Sequence, residues 1–93
     1  MLFTRPSTIK GRQAEKESLI KKVKFQSDYP VLNKVFYLGI VYTIVDNGYE
    51  KAVDFGERNY FKIFVPELTL QRITKSDNIE TVYVTNMELV QPV

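Results

Sequence analysis

Between residues 35 and 70, apolar and polar positions alternate in short runs separated by turn-forming residues. Period-two runs of this kind are the pattern of strands with one covered face. At the centre stands Asp46-Asn47-Gly48-Tyr49. A two-residue type I′ turn needs positive φ at both central positions, which Asn tolerates and Gly adopts without steric cost, so the pattern predicts a hairpin here. With Asn47-Gly48 as the turn, Tyr42 falls opposite Val53, Ile40 opposite Phe55 and Thr43 opposite Ala52. Ile40, Tyr42, Ile44, Val53 and Phe55 then share one face, while Glu50 and Asp54 take the other.

The flanking segments read less uniformly. Residues 1–10 carry turn-formers and little periodicity, and residues 12–22 have helical composition, with Glu17 four positions before Lys21 in the supportive orientation. From residue 19 a period of two sets in, and Leu19, Val23 and Phe25 are expected on one face of a first strand. Tyr29-Pro30 breaks that strand, because Pro30 has no N–H to donate and biases Tyr29 towards extended geometry. Residues 31–37 read as a loop with a short extended piece, and Leu38-Gly39 as a tight corner. After the hairpin, Gly56-Glu57-Arg58-Asn59 is a second turn. Residues 60–65 form the next strand, with Phe61, Ile63 and Val65 on one side and Tyr60, Lys62 and Phe64 on the other; Pro66 stops it or places it at an edge. Residues 68–73 and 81–90 are two further strands around the turn Lys75-Ser76-Asp77-Asn78, with Val82 and Val84 pointing away from Tyr83 and Thr85. Residues 91–93 are a tail.

Turns at intervals of about ten residues imply a mainly-β small barrel or sandwich. Leu38-Gly39-Ile40-Val41-Tyr42-Thr43-Ile44, Val53-Asp54-Phe55-Gly56 and Phe64-Val65-Pro66 resemble the SH3-like barrels of small bacterial and bacteriophage proteins, over roughly the middle third of the chain. The resemblance implies a small SH3-like barrel of five to six short antiparallel strands. The expected organisation is a basic, flexible or partly helical N-terminal arm over residues 1–18 and a single barrel domain over residues 19–93. The chain has no tryptophan and lacks the acidic-aromatic loop of peptide-binding SH3 domains, so proline-peptide recognition is not implied.

Charge adds a division that hydrophobic patterning does not show. Through residue 24, seven basic side chains (Arg5, Lys10, Arg12, Lys16, Lys21, Lys22 and Lys24) face two acidic ones, a net of +5; the remainder of the chain sums to −3. A basic segment before an acidic body suits contact with nucleic acid or an acidic surface. The 93 residues contain no Cys and no His, which removes disulfides, thiolate chemistry and the commonest general base and metal ligand. Asp46, Asp54 and Glu57 are the clustered carboxylates, two of them at predicted turns, and no phosphate-cradling glycine loop is present. The expectation is no enzyme, no cofactor and no metal. With neither a signal-type apolar segment at the start nor a span of about 20 apolar residues, the expected setting is cytoplasmic, away from membranes.

Binding is the remaining class. Tyr49, Arg58, Tyr60, Lys62 and Phe64 combine aromatic and basic side chains in the manner of protein interfaces, and they are the expected contacts of a protein partner, with Tyr37 also placed off the core. The resemblance implies a regulator or inhibitor of the kind phages encode. The alternative is a nucleic-acid accessory protein that uses Arg5, Lys10, Arg12, Lys16, Lys21, Lys22 and Lys24 on phosphates and the aromatics on bases. A third class is a structural, self-assembling protein joined through edge strands.

Overall fold

In a computed structural model that describes residues 6–54, 56 and 60–93, with side chains described from residue 13, the basic segment is one helix, α1 (Pro6–Asp28). Proline is tolerated at the start because the first turn has no carbonyl partner for its missing N–H. The helix stops where the sequence said extended structure would break: Tyr29 N–H still reaches the Phe25 carbonyl at 2.9 Å, and Pro30 cannot continue the ladder. The strand expected over residues 19–25 is therefore helix. Its alternation was compatible with both states. What decides is that Ser18 and Phe25, seven residues apart, meet the sheet on one helical face. The boundary expected between residues 18 and 19 falls inside α1.

Five strands follow: β1 (Lys34–Tyr37), β2 (Ile40–Asp54), β3 (Tyr60–Ile73), β4 (Ile79–Val84) and β5 (Val90–Pro92). They form one antiparallel sheet in the order β4-β3-β2-β1-β5, so it is open, with β4 and β5 at its edges. The mainly-β class stands. The tight corner at Leu38-Gly39 is the two-residue connection of β1 to β2, with φ of +52° and +81° as a type I′ turn requires. The turn at residues 75–78 links β3 to β4, closed by Thr74 N–H to the Asn78 carbonyl at 2.8 Å. Residues 91–92, expected as tail, belong to β5, which a short 3₁₀ turn (Met87–Leu89) capped by Asn86 brings beside β1.

The predicted turn at Asn47-Gly48 is not a turn. Both residues lie inside the 15-residue β2, and the connection to β3 spans the segment from Asp54 to Tyr60, where the second turn was expected. Val53 pairs with Phe61 and Ala52 with Lys62, while Tyr42 pairs with Val35 and Thr43 with both Lys34 and Gln71. Phe55 lies outside the described residues. Two offsets of opposite sense interrupt the β2–β3 register. Val45 is extra on β2, and Pro66-Glu67 stand against the single Gly48. Pro66 is tolerated inside β3 because it sits at that bulge. Both predicted turn residues serve tertiary contacts instead: Asn47 Nδ2 donates to the Tyr29 carbonyl at 3.0 Å, tying down the end of α1, and Gly48 carries the Phe64 ring on its backbone.

The core lies on the α1 side of the sheet. Ile44, Leu68 and Leu70 are fully buried, with Val35, Tyr42, Val84 and Val90 around them. Burial of each such aliphatic side chain contributes roughly 1.5–3 kcal/mol before conformational entropy is counted. Phe25 and Tyr29 of α1 and Tyr37, Val82 and Met87 close the edges, so Tyr37 is a core-flanking residue and not an outward aromatic. As expected, Val84 points in and Tyr83 out.

Two substitutions test the backbone geometry. A Cβ at Gly48 (φ +104°) overlaps the Phe64 ring and stands 3.0 Å from the Val65 carbonyl. Gly48→Ala is expected to destabilise by about 2–4 kcal/mol, read as a lower urea midpoint, against about 1–2 kcal/mol for Gly39→Ala, which has positive φ but open space. Leu38 holds a left-handed φ that leucine disfavours and is exposed. Leu38→Asn is expected to raise thermal stability by roughly 0.5–1 kcal/mol.

Candidate interface surfaces

The helix meets the β2–β3 hairpin through a short list of contacts. Ser18, the one buried polar side chain among the described residues, accepts the Phe64 backbone N–H on its Oγ. Phe64 packs on Phe25 with ring centroids 5.6 Å apart, and Phe25 packs on Tyr29 at 5.0 Å. The aromatic series thus runs from the end of α1 down to the glycine in β2. One turn along the helix from Ser18, Lys22 Nζ lies 2.7 Å from Glu50 Oε1. A groove of about 450 Å³ opens beside these contacts, with Lys16, Lys22 and Lys62 balanced by Glu15 and Glu50 on its walls. The hydrogen bond from Lys22 and its charge, helped by Lys62, hold the Glu50 carboxyl below its usual range.

Residues expected in two separate sites converge here. Lys62 and Phe64, from the protein-binding set, stand with Lys16 and Lys22, from the nucleic-acid set. Their availability differs. Phe64, expected off the core, is only 5% exposed and is a packing residue. It cannot anchor a partner while the fold is intact. Tyr49 and Tyr60 are exposed, but their register places them on opposite faces of the hairpin: Tyr60 is in line with Phe64 and Glu50, whereas Tyr49 pairs with Val65. Arg5 and Arg58 lie outside the described residues, and of the side chains of Lys10 and Arg12 nothing is described. At about 100° per residue, Lys16, Lys21, Lys22 and Lys24 point in different directions around α1, and Lys22 is already paired. They do not make one phosphate-tracking stripe.

The carboxylates expected together are also dispersed. Asp54 Oδ1 accepts the Gly56 N–H at 2.7 Å, an ordinary turn contact. Asp46 is exposed and lies eight strand residues away across the bulge, and Glu57 is outside the described residues. Elsewhere, Arg72 forms an ion pair through Nε with Glu80, lies 5.8 Å above the Tyr42 ring, and has its pKa raised chiefly by that hydrogen bond. This cluster fastens β4 to the rim of the core.

Among the described residues two apolar surfaces remain uncovered, and sequence reasoning missed both. The first is the side of α1 turned away from the sheet, where Leu19, Ile20 and Val23 are 60%, 61% and 63% exposed. The second is the sheet face opposite the core. There Phe36 pairs with Val41 and Ile73 with Ile79, and Val41, Ile73 and Ile79 line one shallow depression of about 470 Å³. Ile73 and Ile79 are 73% and 69% exposed. The alternation of Val35, Phe36 and Tyr37 was a legible signal for an outward Phe36. No helix of the described residues is long and apolar enough to cross a membrane. Comparison with protein-family models, with curated proteins and with solved structures gives no match for the chain.

The Lys22–Glu50 pair predicts a pH dependence. A lowered carboxyl pKa in the fold means that the pair stabilises fully above the ordinary Glu range, and the contribution fades as pH falls through the lowered value. In an NMR titration, Glu50 is expected to protonate at lower pH than a free glutamate side chain. In Lys22→Met its midpoint returns most of the way to the ordinary value, Lys62 supplying what remains.

Proposed function

We propose that the protein is a small non-enzymatic binding module that docks on a protein partner through the sheet face opposite α1. The observation that carries this reading is the apolar row Phe36, Val41, Ile73 and Ile79, which crosses β1 to β4 on a surface that the described residues leave uncovered. Contiguous exposed apolar side chains of this kind mark interaction surfaces, whereas scattered ones do not. The polar row next to it, Lys34, Thr43, Gln71 and Thr81, provides the hydrogen-bonding rim that such interfaces use, with Gln71 Nε2 already donating to Thr81 Oγ1 at 3.2 Å.

A regulator or inhibitor that works by occupying a partner's surface needs no catalytic group, which agrees with a chain free of His and Cys. Its natural setting is the cytoplasm, where no disulfide is required. The SH3-like description of the strand-rich part belongs with this proposal. It is supported by five antiparallel strands in one sheet, three of them short, and by the bulges at Val45 and Pro66-Glu67, which bend and twist the long β2–β3 hairpin. The dispersed lysines of α1 and the ion pair that engages Lys22 favour a protein over a nucleic acid as the partner.

The test pairs a surface variant with a nucleic-acid titration. The full chain, used as bait, is expected to retain a protein partner that Ile73→Thr/Ile79→Thr loses at least tenfold, with far-UV circular dichroism unchanged. Fluorescence anisotropy of labelled DNA and RNA is expected to stay flat at low and moderate salt. Tight, salt-sensitive binding that disappears in Lys16→Gln/Lys21→Gln/Lys24→Gln would overturn the reading in favour of nucleic acid.

A further inference from the structure

We infer that the outward face of α1 is an interface between two copies of this chain, packed antiparallel about a two-fold axis near residue 21. The inference uses a different surface from the proposed partner site. Docking α1 on its own sheet employs Ser18, Lys22 and Phe25. It leaves Leu19, Ile20 and Val23 on the other side, each more than half exposed. Leu19 and Val23 are one turn apart and Ile20 lies beside them, which makes a short apolar stripe of helix–helix type. Among the described residues, the depression over Leu19, Ile20 and Val23 is lined by α1 alone, with Leu19 also bordering the groove beside Phe64.

Charge selects the occupant and its direction. Glu17 and Lys24, both exposed and seven residues apart, lie on the same flank of the stripe. In a parallel two-fold pair the two copies of this flank lie on opposite sides of the seam, so Glu17 and Lys24 do not meet each other across it. A second helix running antiparallel about residue 21 sets Leu19 on Val23 and brings each Glu17 beside the Lys24 of the other copy, on both sides of the axis at once. That is the self-complementary arrangement of a two-fold dimer. Glu17 also opposes a phosphate backbone or an anionic lipid surface at the same place. A stripe this short is at the small end of specific interfaces, so dissociation is expected on the order of micromolar.

Sedimentation velocity of the full chain across about 1–300 µM tests this, with the range set by that affinity. The expected result is a rise from one chain mass to two. Leu19→Glu/Val23→Glu, both good helix formers, stays at one chain mass throughout with unchanged helicity. Glu17→Lys weakens the dimer roughly tenfold, and adding Lys24→Glu restores it, because the pair is exchanged on both sides of the axis. A single-chain mass at the highest concentration would overturn the inference. So would a dimer insensitive to Leu19→Glu/Val23→Glu, which would move the contact to the sheet face or its edges. Ile73→Thr/Ile79→Thr is expected to leave the dimer intact, so the fates of the two proposals are read separately.

Discussion

The Phe64 ring rests on a backbone position that carries no Cβ, and through that contact the helix, the hairpin and the core become one body. Gly48 allows the close approach. Phe25 covers the ring from above, and Ser18 takes up the Phe64 N–H. Asn47, the neighbour of Gly48, holds the carbonyl at the end of α1. Two consecutive residues of β2 therefore fasten both the middle and the end of the helix. The bulge of Pro66-Glu67 against Gly48 is the geometric condition for this, because it re-aims β3 so that Phe64 meets the glycine.

Seating α1 in this way brings the basic part of the chain onto its acidic part. Lys22 meets Glu50, and Lys62 stands close enough to add to the field on the same carboxyl. The asymmetry of charge along the sequence is thereby partly neutralised within the molecule. The pair is solvent-exposed, so it orients the helix on the hairpin more than it drives folding; the buried aliphatic cluster of Ile44, Leu68 and Leu70 does that. The apolar side chains that neither the core nor the helix seat consumes gather on two surfaces, the outer stripe of α1 and the back of the sheet. Their separation keeps the proposed partner face and the proposed self-association face independent of each other.

Legibility in the sequence followed the range of the interaction. Local backbone preferences were read correctly: Pro30 ends what precedes it, Leu38-Gly39 turns, residues 75–78 turn, and Val82 and Val84 face away from Tyr83. The candidate site was legible in composition but not in place. Lys62 and Tyr60 are exposed as expected, while Phe64 is consumed by packing, because a core this small draws in an aromatic from the side of the strand that the helix covers.

The sequence by itself determined a mainly-β chain, the turns at Leu38-Gly39 and residues 75–78 and the sign of charge on either side of residue 24, since alternation, Gly/Pro placement and charge count act over a few residues. Only the tertiary structure decided what Asn47-Gly48 would do. An isolated Asn-Gly forms a turn because positive φ is cheap there, yet the same permissiveness serves a bulge when a ring must lie on the backbone and a helix end needs a donor. It likewise decided that residues 19–25 would be helix, because a period of two and a period of 3.6 share too many positions over seven residues to be told apart. The sheet waiting beneath Ser18 and Phe25 breaks the tie.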